Sequence, residues 1–191
     1  MLSDGGARAS IIPETATLQM YVRSLYTETL MDLSQRVEDI LKGAALMTGT
    51  TVDAQWDEHP MSLPVRNNAT LARRWGATQA SRGRDVLPAG TLPDSQAAST
   101  DFGNVSHLVP GIHPLVKIAP EGTALHTTDF AAAAISDQAF EGAFDAAVGL
   151  AQTIADILND PQLLADAQEE FRLAGGAISV EKLLAGAAEQ P

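Results

Sequence analysis

Between Leu30 and Met47 the apolar side chains of Leu30, Leu33, Val37, Ile40, Leu41, Ala44 and Met47 recur at intervals of three and four, and Gly49 follows. That spacing gathers them on one stripe of an α-helix. A glycine just past the stripe accepts the left-handed backbone on which helices commonly end. The pattern predicts an amphipathic helix over roughly 27–48, and the segments on either side have to be read as what that stripe packs against.

Upstream, Asp4-Gly5-Gly6 reads as a turn with nothing before it to pair with. Ala9 to Ile12 and Ala16 to Arg23 read as two strands, the second alternating Leu18, Met20 and Val22 with Thr17, Gln19, Tyr21 and Arg23. Strand alternation places Arg23 on the face opposite Leu18 and Met20. Downstream of the helix, Thr51 to Trp56 reads as a returning strand. The sum is a β-β-α-β unit, most of a ferredoxin-like split βαβ fold without its first strand and helix.

From His59 to Leu63 the chain crosses to a second region, so the expected division is 1–60 and 61–191. Asn67 to Trp75 is expected to be a short helix capped by Asn67 or Asn68. Ala77 to Gln96, rich in Gly, Pro, Ser and Arg without periodicity, is expected to be a mobile loop. A helix or tight connection begins at Thr128. Ser136 caps an amphipathic helix carrying Phe140, Phe144, Ala147, Val148, Ala151, Ile154, Ile157 and Leu158 and ending near Asn159. Pro161 opens another helix through Leu163, Leu164, Ala167 and Phe171, which Gly175-Gly176 breaks. Ile178 to Ala188 is expected to be a loosely attached terminal helix.

Polar chemistry concentrates between these parts. Ser99 to His126 holds three of the four histidines, His107, His113 and His126, with Asp101 and Asn104. Turn-prone stretches at Asp101–Asn104 and Pro120–Thr123 flank the apolar run Leu115, Val116, Ile118, Ala119, which reads as a buried strand. Polar side chains at the ends of a strand are well placed to build a site, although a lone histidine is more often a structural hydrogen-bonder than a ligand.

Composition limits the partners. A net charge of -12 disfavours a phosphate backbone or an anionic membrane surface. With no cysteine, a disulfide or thiolate site is excluded and any metal has to be held by His, Asp or Glu. No apolar run approaches the ~20 residues that span a bilayer, and M-L-S-D-G-G-A-R has no hydrophobic signal core, so a cytoplasmic chain is expected.

Taken in order, D-G-G, S-I-I-P-E-T-A-T-L-Q-M-Y-V-R, S-T-D-F-G-N-V-S-H-L-V-P-G-I-H-P and A-L-H-T-T-D-F resemble the C-terminal part of an M20 metallopeptidase, most of all its aminobenzoyl-glutamate hydrolase branch. The resemblance runs from Asp4 to Phe171. It implies a partial lid or dimerisation domain over 1–60 and, over 61–191, the C-terminal strand and helices of a zinc-peptidase-like α/β catalytic domain, an α+β and α/β combination. It implies an amidohydrolase acting on N-acyl or aminobenzoyl amino acids or dipeptides with two metal ions, zinc or manganese. His126 matches the family's late metal-ligand histidine, and Arg23 matches a lid arginine that meets the substrate carboxylate, for which a guanidinium fork is suited. Ser10 stands where relatives carry a substrate-contacting asparagine, and Asp101 and Asn104 are expected to shape the pocket wall. Hydrogen bonding within the loop is the expected role of His107 and His113.

Several parts that the resemblance implies are missing from this sequence. Family members supply a general-base glutamate and most metal ligands from an H-x-D segment and a Glu-Glu pair. The sequence contains no H-x-D, and its one Glu-Glu pair, Glu169-Glu170, reads as a solvated helix face. A catalytic zinc takes about three protein ligands, whereas the match offers His126. The expectation is a chain that is inactive alone, from a split or truncated gene or an expressed fragment, with exposed apolar patches that self-associate or need a complementing N-terminal chain. The alternative is a non-catalytic remnant that pairs through the Leu30 to Met47 helix or an adjacent strand edge.

Overall fold

The computed structural model describes residues 1–56, 61–88, 90–91 and 100–183. The chain divides into two compact units, Met1–Glu58 and His59–Pro191. It is mostly helical with one small antiparallel sheet.

In the first unit β1 (Leu2–Asp4) pairs antiparallel with β2 (Thr17–Leu18), Leu2 opposite Leu18 and Asp4 opposite Thr17. Residues before the Asp4-Gly5-Gly6 turn therefore do find a partner, against expectation. The backbone at Gln19 closes the pair, its N–H donating to the Met1 carbonyl at 2.8 Å while its carbonyl accepts from the terminal ammonium at 2.6 Å. The strand expected over Ala9–Ile12 is a turn instead, the one expected over Ala16–Arg23 contracts to two residues, and Thr51–Trp56 joins no ladder. The described order is β-β-α, without the returning strand. β-propensity alone forms no strand, because the ladder hydrogen bonds have to come from a neighbour.

α1 (Thr27–Thr48) follows the apolar spacing. Gly49 ends it at φ 68°, and the Thr50 and Gly49 amides return to the Ala45 and Leu46 carbonyls at 3.0 and 3.4 Å, a Schellman closure that satisfies two orphan acceptors. The Trp56 indole donates to Glu38 at 2.8 Å and ties the segment after α1 back to its flank. Leu30 is the buried residue of α1, while Ile40, Leu46 and Met47 are exposed.

The second unit holds α2 (Ala69–Ser81), α3 (Phe102–Ser106), α4 (Thr128–Ala133), α5 (Asp137–Asn159) and α6 (Pro161–Leu173). Asn68, Thr127, Ser136 and Asp160 cap α2, α4, α5 and α6 through side-chain oxygens, and Pro161 occupies the first turn of α6. α2, α5 and α6 pack pairwise around Leu71, Trp75, Ala139 and Ala167. Burying Leu71 and Trp75 contributes roughly 1.5–3 kcal/mol each.

Three readings are corrected here. Ala77–Ser81 belongs to α2 and not to a loop, because Thr78 and Gln79 are buried on the packed face; the part of that expected loop over 92–96 lies outside the described residues. Leu115–Ala119 joins no ladder among the described residues, although Leu115 and Lys117 are exposed where Val116, Ile118 and Ala119 are covered. Glu170 is not a solvated residue but caps α2 from α6. The expected terminal helix is helical over 180–183, where the Ser179 hydroxyl accepts from the Lys182 amide at 3.2 Å, and its remainder lies outside the described residues. No helix among the described residues is long and apolar enough to cross a membrane.

α5 is apolar on two faces. Ala139, Gly142, Gly149 and Thr153 are buried, Gly149 so close to α2 that a Cβ would lie 2.3 Å from Gln79 Nε2 and 2.7 Å from Trp75 Nε1. Small residues let the helices approach, so the larger Phe140, Phe144, Ile154 and Leu158 are left on the exposed side.

Candidate functional site

The histidine-bearing block folds as a bracket around the segment that leads into α2. Asn104 Oδ1 accepts from the Leu63 amide at 2.8 Å and Asn104 Nδ2 donates to the Met61 carbonyl at 3.1 Å. The fully buried Ser106 hydroxyl accepts from the Arg66 amide at 2.9 Å and donates to the Gly103 carbonyl at 2.6 Å. Further along, the Asn68 amide donates to the Gly111 carbonyl and the His113 amide to Asn67 Oδ1, both at 2.8 Å. Residues 61–68 are thus held along their length by 103–113. Gly103 makes the approach possible, since a Cβ there would stand 1.8 Å from the Leu63 carbonyl oxygen.

His107 is 5 % exposed, and its Nε2 meets the Pro64 carbonyl at 3.0 Å. A carbonyl only accepts, so Nε2 carries the proton and Nδ1, buried without a partner, is the bare nitrogen of the neutral ring. Burial holds its pKa below the ordinary histidine value; the Pro64 hydrogen bond opposes this and the Arg66 guanidinium reinforces it. The hydrogen bond runs across to the 61–68 segment and not within the loop. His113 stacks its ring on Phe102, with centroids 5.5 Å apart.

Arg66 carries the bracket on to the C-terminal segment. Its guanidinium lies over the Phe171 ring and donates to the Ala174 and Gly176 carbonyls, at 2.8 Å to the former, while the Ile178 amide donates to the His107 carbonyl at 2.8 Å. At the C-terminal end of α2, Asp145 on α5 accepts from Arg82 and Arg84, each at 2.5 Å, and those two hydrogen bonds lower its pKa. Neither Arg66 nor the Arg82–Arg84–Asp145 cluster carries a signal in the sequence, because the partners are about a hundred and about sixty positions apart.

His126 stands apart from this bracket. It is exposed, at the turn before α4, and at φ 62° it is the non-glycine residue among those described that adopts the left-handed region. Such a backbone costs about 1 kcal/mol or more and is found where the surroundings enforce it. A shallow depression nearby is lined by Pro120, Thr123, Asp129, Ala133, Ser136 and Asp137. Asp101 precedes α3, exposed and without a capping bond. In the first unit Ser10 lies in an exposed turn, and the exposed Arg23 places its guanidinium 4.9 Å from the Tyr21 ring centroid. Among the described residues no three His, Asp or Glu side chains come together as a metal-holding group, so the donors present here do not fit a resident two-metal centre.

No family model matches the chain. It is similar to the Xaa-Arg dipeptidase of Mus musculus, 33 % identical over 172 residues, which covers 90 % of this chain and 39 % of the relative. It is similar to one of the subunits of the p-aminobenzoyl-glutamate hydrolase of Escherichia coli, 23 % identical over 89 % of this chain and 46 % of the relative. The N-acetyldiaminopimelate deacetylase of Streptococcus thermophilus is 34 % identical over 109 residues, 56 % of this chain and 27 % of the relative. The chain therefore spans less than half the length of each of these relatives. All three are M20 amidohydrolases, and this chain is homologous to part of each.

Proposed function

We propose that this chain supplies the C-terminal portion of a metal-dependent amidohydrolase that cleaves the amide bond of N-acyl or aminobenzoyl amino acids or of dipeptides, and that it is inactive until further polypeptide completes the site. The observation that carries this reading is the likeness to a dipeptidase over 90 % of the chain combined with 39 % coverage of that dipeptidase. In this reading Arg23 receives the substrate carboxylate and Ser10 lies beside it. His126 contributes one imidazole to a zinc or manganese site whose other ligands come from elsewhere, and Asp101 and Asn104 shape the pocket wall. Asn104 does so by holding residues 61–63 in place. The left-handed backbone of an exposed histidine supports a functional reading of His126, since strain of this kind clusters at active sites. We place the assembled enzyme in the cytoplasm.

The test is amide hydrolysis of aminobenzoyl-glutamate and of a dipeptide panel with added zinc or manganese. The chain alone is expected to show none. Turnover that disappears in His126→Ala would instead mean that this chain assembles a complete site. A second reading, a non-catalytic remnant that associates through α1, has one observation in its favour: α1 buries Leu30 and leaves Ile40, Leu46 and Met47 exposed. It predicts association that Ile40→Glu abolishes, and no gain of hydrolysis on adding a polypeptide that carries H-x-D and Glu-Glu segments.

A further inference from the structure

Asp4-Gly5 is the one place in the chain where a glycine follows an aspartate or an asparagine. At the other described aspartates outside helices and strands the next residue is Ala54, Val86, Phe102 or Pro161. The Gly6 amide donates to Asp4 Oδ1 at 3.1 Å. That hydrogen bond folds the carboxyl forward over the peptide bond it flanks, in a turn whose closed ring contains both Asp4 Cγ and the Gly5 nitrogen. Among the described residues the Gly5 amide donates to no backbone or side-chain acceptor outside the β1·β2 ladder, and Gly5 itself lies beyond the end of β1. Asp4, Gly5 and Gly6 are all exposed, so water reaches the turn. Glycine leaves its nitrogen unshielded and its backbone free to rotate.

We propose that Asp4-Gly5 is a site of spontaneous covalent modification, at which Asp4 isomerises to isoaspartate through a succinimide. The Gly5 nitrogen attacks Asp4 Cγ. An N–C bond forms, the Cγ–OH bond breaks, and the hydroxyl leaves with the amide proton as one water. Water then adds back to the ring. Breaking the bond from nitrogen to the original backbone carbonyl leaves the chain running through Cγ, whereas breaking the bond to Cγ restores aspartate. Mass is unchanged, and no reactant other than water takes part. The hydroxyl leaves from the neutral carboxyl, so the reaction quickens as pH falls from 8 towards 5. A turn that holds the reacting atoms together raises their effective concentration, and this separates Asp4 from a residue whose fold keeps them apart. The consequence falls on β1. Asp4 is its last residue, opposite Thr17, and the Ser3 hydroxyl donates to the Thr17 carbonyl at 3.0 Å in the same register. Isoaspartate adds a methylene to the backbone and removes the acceptor of the Gly6 amide, and this two-stranded sheet has no third strand to keep the register. The inference goes beyond the proposed activity and does not depend on it.

The experiment incubates the full chain beside the free peptide M-L-S-D-G-G-A-R at pH 5.5 and at pH 8. Isoaspartate is followed by enzymatic methylation of its carboxylate and by peptide mapping, in which the succinimide appears as the loss of one water. Isoaspartate is expected at residue 4 ahead of every other aspartate and asparagine, faster at pH 5.5, and in the full chain at a rate equal to or above that of the peptide. Hydrogen exchange at the Gln19 amide, which donates to the Met1 carbonyl, should rise in the modified fraction. An alanine at position 5 would meet the movable side chain of Leu2, at 2.7 Å, so Gly5→Ala keeps the turn while shielding the nitrogen; it should react about tenfold more slowly. A full chain slower than the peptide overturns the proposal, because the turn would then hold the atoms apart. So does isoaspartate that accumulates first at another position, or a Gly5→Ala chain that reacts at the parent rate. Should Gly5→Ala disturb the turn, the comparison of chain with peptide decides.

Discussion

The carboxylate of Glu170 on α6 closes the first turn of α2 at Thr70: Oε2 accepts from the Thr70 amide at 2.9 Å and from its hydroxyl at 2.7 Å, while Oε1 accepts from the Ala69 amide. Asn68 answers in the other direction, its Nδ2 donating to the Ala167 carbonyl of α6 at 2.9 Å while its Oδ1 caps Leu71. Two helices a hundred residues apart in sequence thus satisfy each other's polar groups, and the first turn of α2 is closed both by its neighbour Asn68 and by a distant side chain.

Glu170 makes stability depend on acidity. Burial pushes its carboxyl up, but the Thr70 hydroxyl, the Ala69 and Thr70 amides and the Arg73 charge outweigh this and leave the pKa lowered. A carboxyl lowered in the folded state stabilises it fully above the unfolded value of about 4.3 and loses that contribution as pH falls through the folded value. Urea midpoints should therefore drop on acidification below about pH 5. Glu170→Gln should start lower at pH 7 and lose less over that window; an equal loss in both chains would contradict the assignment.

His107 acts in a higher window. Its pKa is lowered, chiefly by burial, so the unfolded chain takes up its proton first as pH falls through about 6.5. Stability is full above that value and declines between it and the folded pKa. His107→Gln, which keeps a donor for the Pro64 carbonyl, should flatten the decline between pH 7 and pH 5. Hydrogen exchange at the Ile178 amide, which donates to the His107 carbonyl, should rise over the same range in the unsubstituted chain.

Gly103→Ala tests the bracket. The added methyl would lie 1.8 Å from the Leu63 carbonyl oxygen, a backbone atom held by Asn104 on the adjacent amide, so no side-chain rotation relieves the overlap. A loss of about 2–4 kcal/mol, the range of severe overpacking, is expected in chemical denaturation. A stability within experimental error of the parent would show that the 61–68 segment is not fixed as described.

At Gly149 the overlap is with movable atoms, and the prediction is a coupling. Gly149→Ala gains up to about 1 kcal/mol of helix propensity but places a methyl 2.3 Å from Gln79 Nε2, the atom that donates to the Asp145 carbonyl. Net destabilisation of about 1 kcal/mol is expected in the parent and a smaller one in a Gln79→Ala background, where the Trp75 indole 2.7 Å from the same methyl retains the rest. Additive effects in the double-mutant cycle would rule out the contact.

His126 separates backbone from side chain. At φ 62° glycine should be favoured, so His126→Gly is expected to raise the thermal midpoint by the equivalent of about 0.5–1 kcal/mol, and His126→Ala to leave it unchanged or lower it. A destabilised His126→Gly would mean that the imidazole itself holds the turn.

How much of this was legible in advance differs by kind of interaction. α1, α5 and α6 could be placed from apolar spacing, and their ends from Gly49, Ser136 and Pro161, because helix hydrogen bonds and caps join residues within a few positions of each other. The likeness to M20 amidohydrolases could be read because the order of several short blocks survives in one chain. The strands could not be placed, since Ala9–Ile12, Thr51–Trp56 and Leu115–Ala119 have the composition for a ladder but no neighbour among the described residues to complete one. Nor could the roles of Asn104, Ser106, Arg66 and Glu170, whose hydrogen bonds reach forty to more than a hundred positions away. For α5 the stripe of Phe140, Phe144, Ile154 and Leu158 is exposed, an apolar patch of the kind expected from the sequence, while the tertiary structure decides that the opposite face is the covered one. Gly142, Gly149 and Thr153 on the other face allow a closer approach to α2 than phenylalanine would, and which of two apolar faces is buried depends on the shape of the surface it meets, which no local pattern contains.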